Sequence, residues 1–97
     1  MKFKELDPLL HNQLRLAIMS ILLNVKEAEF TFIKEKTGAT AGNLSVQVSK
    51  LKKARYIEVK KSFKNNYPLT TCNITKTGIE AFEGYVNALQ GYINKKV

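Results

Sequence analysis

The sequence predicts a mostly α, α+β fold: a run of helices interrupted by one small β-hairpin. Three observations predict it. Apolar residues recur at spacings of three and four in the first half and again at the C-terminal end. Between them, from Ile57 to Phe63, the period drops to two. The chain has 97 residues, room for one hydrophobic core and not two, so residues 1–97 are expected to be a single domain.

The elements follow in order. Asp7-Pro8 is a helix-start signal, because Asp7 can cap free N–H groups and Pro8 suits the first helical position. Leu10, Leu14, Ala17, Ile18, Ile21 and Leu22 then repeat at helical spacing, which predicts a helix over 8–24. "NVKEAE" reads as a polar break, and Phe30 as part of a short strand. In "FTFIKEKTG", Thr31 can cap and Gly38 can close a two-turn helix over 32–37. After the "ATAG" corner, Thr40 is the expected N-cap of a helix over 41–54, with Leu44, Val48 and Leu51 inward. Two short helices across such a corner make a helix-turn-helix unit.

Next come Ile57, Val59, Lys61 and Phe63, alternating with Glu58, Lys60, Ser62 and Lys64. "KNNYP" is rich in turn formers and "LTTCNI" is β-prone, so a hairpin with its tip near residues 64–68 is expected. Thr75 or Thr77 can cap the last helix, predicted over 76–95. In that helix Ile79, Phe82, Val86, Leu89 and Ile93 are spaced three, four, three, four, as in a coiled-coil seam. A second stripe runs Ala81, Tyr85, Ala88, Tyr92, so the helix is expected to have two neighbours. Gly84 and Gly91 lie a heptad apart and would allow close backbone approach.

Charge is concentrated. The net charge is +8, and Lys50, Lys52, Lys53, Arg55, Lys60, Lys61 and Lys64 fall within fifteen residues that hold one acid, Glu58. Such a block on a folded domain points to nucleic acid, an acidic membrane surface or an acidic partner. The longest uncharged apolar run is "LAIMSILL", far short of the roughly 20 residues of a membrane span. The N-terminus lacks the marks of a secretory signal, so a cytoplasmic location and no membrane partner are expected. One cysteine, Cys72, and one histidine, His11, cannot supply the four ligands of a structural zinc site. No metal and no cofactor are expected. Glu27, Glu29 and Glu35 are scattered among lysines with no paired acid/base arrangement, so the chain reads as no enzyme, with no catalytic residue.

Helix, helix, turn, helix, hairpin, long helix is the layout of a winged helix. An α-helix fits the major groove of B-DNA and presents the side chains of its N-terminal half to base edges. Here Thr40, Asn43, Ser45, Val46 and Ser49 come first, followed by Lys50 and Lys53. Asparagine can read adenine through paired hydrogen bonds, and valine can touch a thymine methyl. Lysines anchor phosphates without specifying sequence. In the hairpin, Lys60, Lys61, Lys64, Asn65 and Asn66 are placed to reach the backbone or the neighbouring minor groove.

"GNLSVQVSKLKKARYIEVKKSF" followed by "TKTGIEAFEGYVNALQ" resembles the stand-alone winged-helix transcriptional regulators of bacteria and archaea related to the MarR and ArsR groups. The likeness extends over nearly the whole chain, including "HNQLRLAIMSILL". It implies that residues 41–54 form the recognition helix and 56–74 the wing. It also implies a homodimer through the terminal helices, with double-stranded DNA as partner. Two departures stand out. Arg55 occupies a position where the family usually has glycine, and a left-handed backbone is harder for arginine. The cysteine and histidine clusters of metal-sensing members are missing, which disfavours metal sensing.

The expected function is therefore a sequence-specific, double-stranded DNA-binding transcriptional regulator, a dimer reading an inverted repeat. A winged-helix protein-interaction module and a non-specific nucleic-acid binder remain open beside it, because fold alone does not settle function. The seam of the last helix also has a second reading, in which it packs within one subunit. The sequence names no small-molecule effector, operator or direction of regulation.

Overall fold

A computed structural model describes residues 2–94. The order is α1 (Gln13–Val25), β1 (Glu27–Glu29), α2 (Phe30–Thr37), α3 (Ala41–Lys53), β2 (Ile57–Lys64), β3 (Tyr67–Ile74) and α4 (Lys76–Ile93). The strands form one antiparallel sheet in the order β1-β3-β2. The mostly α, α+β class and the winged-helix layout are those read from the sequence. Residue 95, the last expected in the final helix, lies outside the described residues.

One helix start and one strand differ from expectation. α1 begins at Gln13, where the Asn12 side chain accepts from the Arg15 N–H at 3.0 Å. Asp7 and Pro8 instead begin an isolated turn. Asp7 Oδ1 accepts from Leu9 N at 2.9 Å, and the Asp7 carbonyl accepts from Leu10 and His11. Phe30 opens α2 rather than ending a strand, and Thr31 is not its cap. The strand lies earlier, in the supposed polar break, with Ala28 opposite Cys72.

The remaining caps follow local chemistry. Thr40 Oγ1 accepts from Asn43 N and Thr75 Oγ1 from Gly78 N, each filling one of the unpaired N–H groups at a helix start. Gly38 closes α2 in the left-handed conformation. Asn65 and Asn66 both have positive φ, 51° and 67°, the requirement of a two-residue type I′ hairpin turn. In this register Pro68, opposite Phe63, is a non-hydrogen-bonded position, so its missing N–H costs the hairpin nothing. Its ring also blunts an edge that β1, paired only with 71–73, leaves uncovered.

The core lies between the sheet and α1–α3. Ile18, Met19 and Leu22 of α1, Ile33 of α2, and Leu44 and Leu51 of α3 are fully buried with Ile57 and Cys72. Burial pushes the Cys72 thiol pKa up, so it is an inert core residue at neutral pH. α4 buries Gly78, Tyr85 and Ala88, so the Ala81–Tyr85–Ala88 stripe faces its own domain. An N-terminal arm ties it down. His11 Nδ1 and the Tyr85 hydroxyl share a 2.9 Å hydrogen bond, and the Tyr92 hydroxyl donates to the Lys4 carbonyl at 2.8 Å. No helix among the described residues is long and apolar enough to cross a membrane.

Candidate nucleic-acid interface

Burial of Leu44, Val48 and Leu51 orients α3. With 100° per residue, the opposite arc must face solvent. Asn43, Val46, Ser49, Lys50 and Lys53 are exposed there, and Val46 is 51% exposed despite being apolar. Thr40 is exposed too, but its hydroxyl is already engaged as the helix cap. Ser45 and Ser49 turn toward the sheet. With Lys52 they line a cleft whose other wall includes Val59, Lys61 and Thr70.

Strand alternation divides the hairpin lysines. Lys61 shares a face with Ile57, Val59 and Phe63, the face toward α3. Lys60 and Lys64 stand on the other face, with Glu58, and Lys60 lies in the same cross-strand row as Thr71 and Glu29. The five basic or amide residues Lys60, Lys61, Lys64, Asn65 and Asn66 are all exposed, yet they do not form one surface. Asn65 and Asn66 form the tip itself.

Four residues at this surface escaped the sequence reading. Phe63 and Tyr67 flank the tip and are 77% and 75% exposed. Their alternation with polar neighbours resembles a buried strand face, and nothing local reveals that the core stops at Val59. Arg15 and Gln47 are the others. Arg15 Nε donates to the Leu9 carbonyl at 2.6 Å, and its Nη1 donates to Gln47 Oε1. Gln47 Nε2 in turn donates to Asn43 Oδ1 at 3.1 Å. The i, i+4 spacing of Asn43 and Gln47 was legible, but Arg15, 32 residues away, was not.

Behind α3, the turn into β2 is clamped. Arg55 is left-handed, at φ 65°, so the arginine holds the conformation usual for glycine. The turn presents two carbonyls to Thr75. The Thr75 hydroxyl donates to Arg55 O at 2.6 Å, and the Thr75 N–H donates to Tyr56 O at 3.0 Å. Tyr56 donates its hydroxyl to Asp7 Oδ2 at 2.6 Å. Its pKa is pushed up to about 12, first by burial and then by the Asp7 carboxylate it bonds. Among the described residues, no group of three or more His, Cys, Asp or Glu side chains could hold a metal ion.

The chain that builds this turn, hairpin and basic exposed face is similar to known proteins. The winged helix DNA-binding domain family matches residues 14–93. The chain belongs to that family. A protein of Methanocaldococcus jannaschii, named only as uncharacterized, is 35% identical over 72 residues, 74% of this chain and 78% of that protein. The structure of a transcriptional regulator homologue from Pyrococcus horikoshii OT3 superposes with a TM-score of 0.83. It is 29% identical, with 89% of this chain and 85% of that one covered. MarR from E. coli complexed with operator DNA aligns with a TM-score of 0.70 over 84% of this chain and 57% of that one. At 10% identity that match speaks for the fold alone. The domain therefore shares the winged-helix fold of MarR.

Proposed function

We propose that this winged-helix protein is a homodimeric transcriptional regulator that reads an inverted repeat in double-stranded DNA. The supporting observation is the division of α3 into a buried apolar side and an exposed side on which Asn43, Val46 and Ser49 precede Lys50 and Lys53. Short polar groups meet base edges while lysines further along meet phosphates. Ser45 and Lys61 flank the cleft between helix and wing, where a phosphate strand can pass. Lys60 and Lys64 neutralise backbone on the far side of the wing. Asn65 and Asn66 enter the minor groove.

The dimer reading rests on α4. Of its seam, Ile79, Phe82, Val86 and Leu89 are only half-buried, and Ile93 is 72% exposed. Ile79, Phe82 and Leu89 touch the domain's own core at their edges, so one subunit covers part of the stripe and a second copy covers the rest. Gly84 and Gly91 do not assist there. At 100° per residue they project opposite the seam, and nothing lies within 4 Å of a Cβ built on either.

The test is selection of bound duplexes from a random pool at near-physiological salt. An enriched inverted repeat with half-sites about one helical turn apart supports the reading. No enrichment, with binding that vanishes as salt rises, rejects sequence reading in favour of a non-specific grip. On the selected site, Ser49→Ala should change base preference. Lys60→Ala with Lys64→Ala should weaken all DNA alike and flatten the log–log salt slope by roughly 2.

A further inference from the structure

Three side chains on the recognition surface form a chain of hydrogen bonds with a fixed direction. Arg15 Nη1 meets Gln47 Oε1, and Gln47 Nε2 meets Asn43 Oδ1 at 3.1 Å. Arginine has only donors. The Gln47 atom facing it must therefore be the carbonyl oxygen, which turns the Gln47 amide nitrogen toward Asn43. The Asn43 atom facing that nitrogen must then be its own oxygen. Arg15 cannot swing away freely, because its Nε is held at 2.6 Å by the Leu9 carbonyl. One donor-only residue on α1 thus sets the orientation of two amides on α3 that rotation would otherwise leave interchangeable.

We propose that Arg15 and Gln47 are positioning residues that make Asn43 a hydrogen-bond donor to DNA, so that it selects guanine. This rests on the DNA reading above. With Oδ1 drawn back to Gln47, the exposed end of Asn43 is its NH2 group, which makes no bond among the described residues. Guanine presents two adjacent acceptors, N7 and O6, in the major groove. Paired recognition of adenine needs the asparagine oxygen and nitrogen side by side on one base. The relay works against that by engaging the oxygen. The adenine reading suggested by asparagine in isolation is thereby replaced.

Gln47→Glu tests the idea, because glutamate only accepts. One carboxylate oxygen still accepts from Arg15 and the other accepts from the Asn43 amide nitrogen, so that amide must flip and expose Oδ1. The base under Asn43 is first located as the position where Asn43→Ala relaxes selection. At that position the wild type should prefer guanine by about tenfold, and Gln47→Glu should shift preference to a base with an exposed amino group, adenine or cytosine. Side-chain amide exchange by NMR, on the free protein, reads the relay without DNA. The Gln47 amide should be protected in the wild type, and the Asn43 amide in Gln47→Glu. A wild type that prefers adenine there, or a flip seen by NMR with the preferred base unchanged, overturns the proposal. If the wild type selects no sequence, the DNA reading itself fails while the NMR result still reports the relay. Arg15→Met, checked for folding by its thermal melt, should leave both amides free to rotate and broaden the selection rather than switch it.

Discussion

Gly78 packs directly against the main-chain carbonyl of Tyr56, so closely that a Cβ on Gly78 would overlap that oxygen. The contact joins the start of α4 to the turn leaving α3. It explains the glycine in "T-x-T-G": the threonine supplies the cap and the clamp, and the glycine makes room for them. Gly78→Ala should destabilise the protein by about 2 kcal/mol, because the neighbouring atom is a backbone oxygen and cannot rotate away. Gly84→Ala, in the same helix but facing open space, should stabilise it by about 1 kcal/mol. Paired urea melts of the two variants would check both signs, and equal effects would refute the packing account.

Arg55 holds a left-handed backbone at φ 65° without the freedom of glycine. Among the described residues, its exposed side chain makes no hydrogen bond or ion pair that would offset this, while its carbonyl serves Thr75. Arg55→Gly should therefore raise stability by up to about 1 kcal/mol, less whatever the unfolded chain gains in entropy. A thermal melt that moves downward would show that the arginine side chain contributes more than its backbone costs.

The Tyr56 phenol should titrate near 12 rather than 10. The folded pKa lies above the unfolded one, so the neutral phenol is the form that folding favours. Its contribution to stability is complete below pH 10 and is lost as pH climbs from 10 through about 12. Tyrosine ultraviolet absorbance should show the Tyr56 step near 12, and Asp7→Asn should bring that step down. A late step unaffected by Asp7→Asn would assign the shift to burial alone.

Val86→Asp places a charge in the half-buried seam of α4 while leaving Tyr85 and Ala88 in the core. Sedimentation should find dimers for the wild type and monomers for the variant, with the circular-dichroism spectrum retained. An assembly unchanged by the aspartate would place the seam inside one subunit.

Much of this was legible locally. Thr40 and Thr75 cap the helices their positions implied, and the switch to period two at Ile57 marks β2. The start of α1 was not legible. Asp7-Pro8 does begin a turn, but Asp7 spends one carboxylate oxygen on Leu9 and the other on Tyr56, 49 residues away. β1 carries no strand signature in "EAE"; it forms where β3 offers an edge, with Ala28 opposite Cys72. The same distinction runs through the interface. Which α3 residues face outward follows from helical period alone, so Asn43, Val46, Ser49, Lys50 and Lys53 could be named from the chain. Which face of the wing each lysine occupies relative to α3, and which end of the Asn43 amide points to solvent, could not. Periodicity records only the direction of a side chain about its own element. Register against β3 and a donor from α1 are contacts between distant segments, and only folding brings those together.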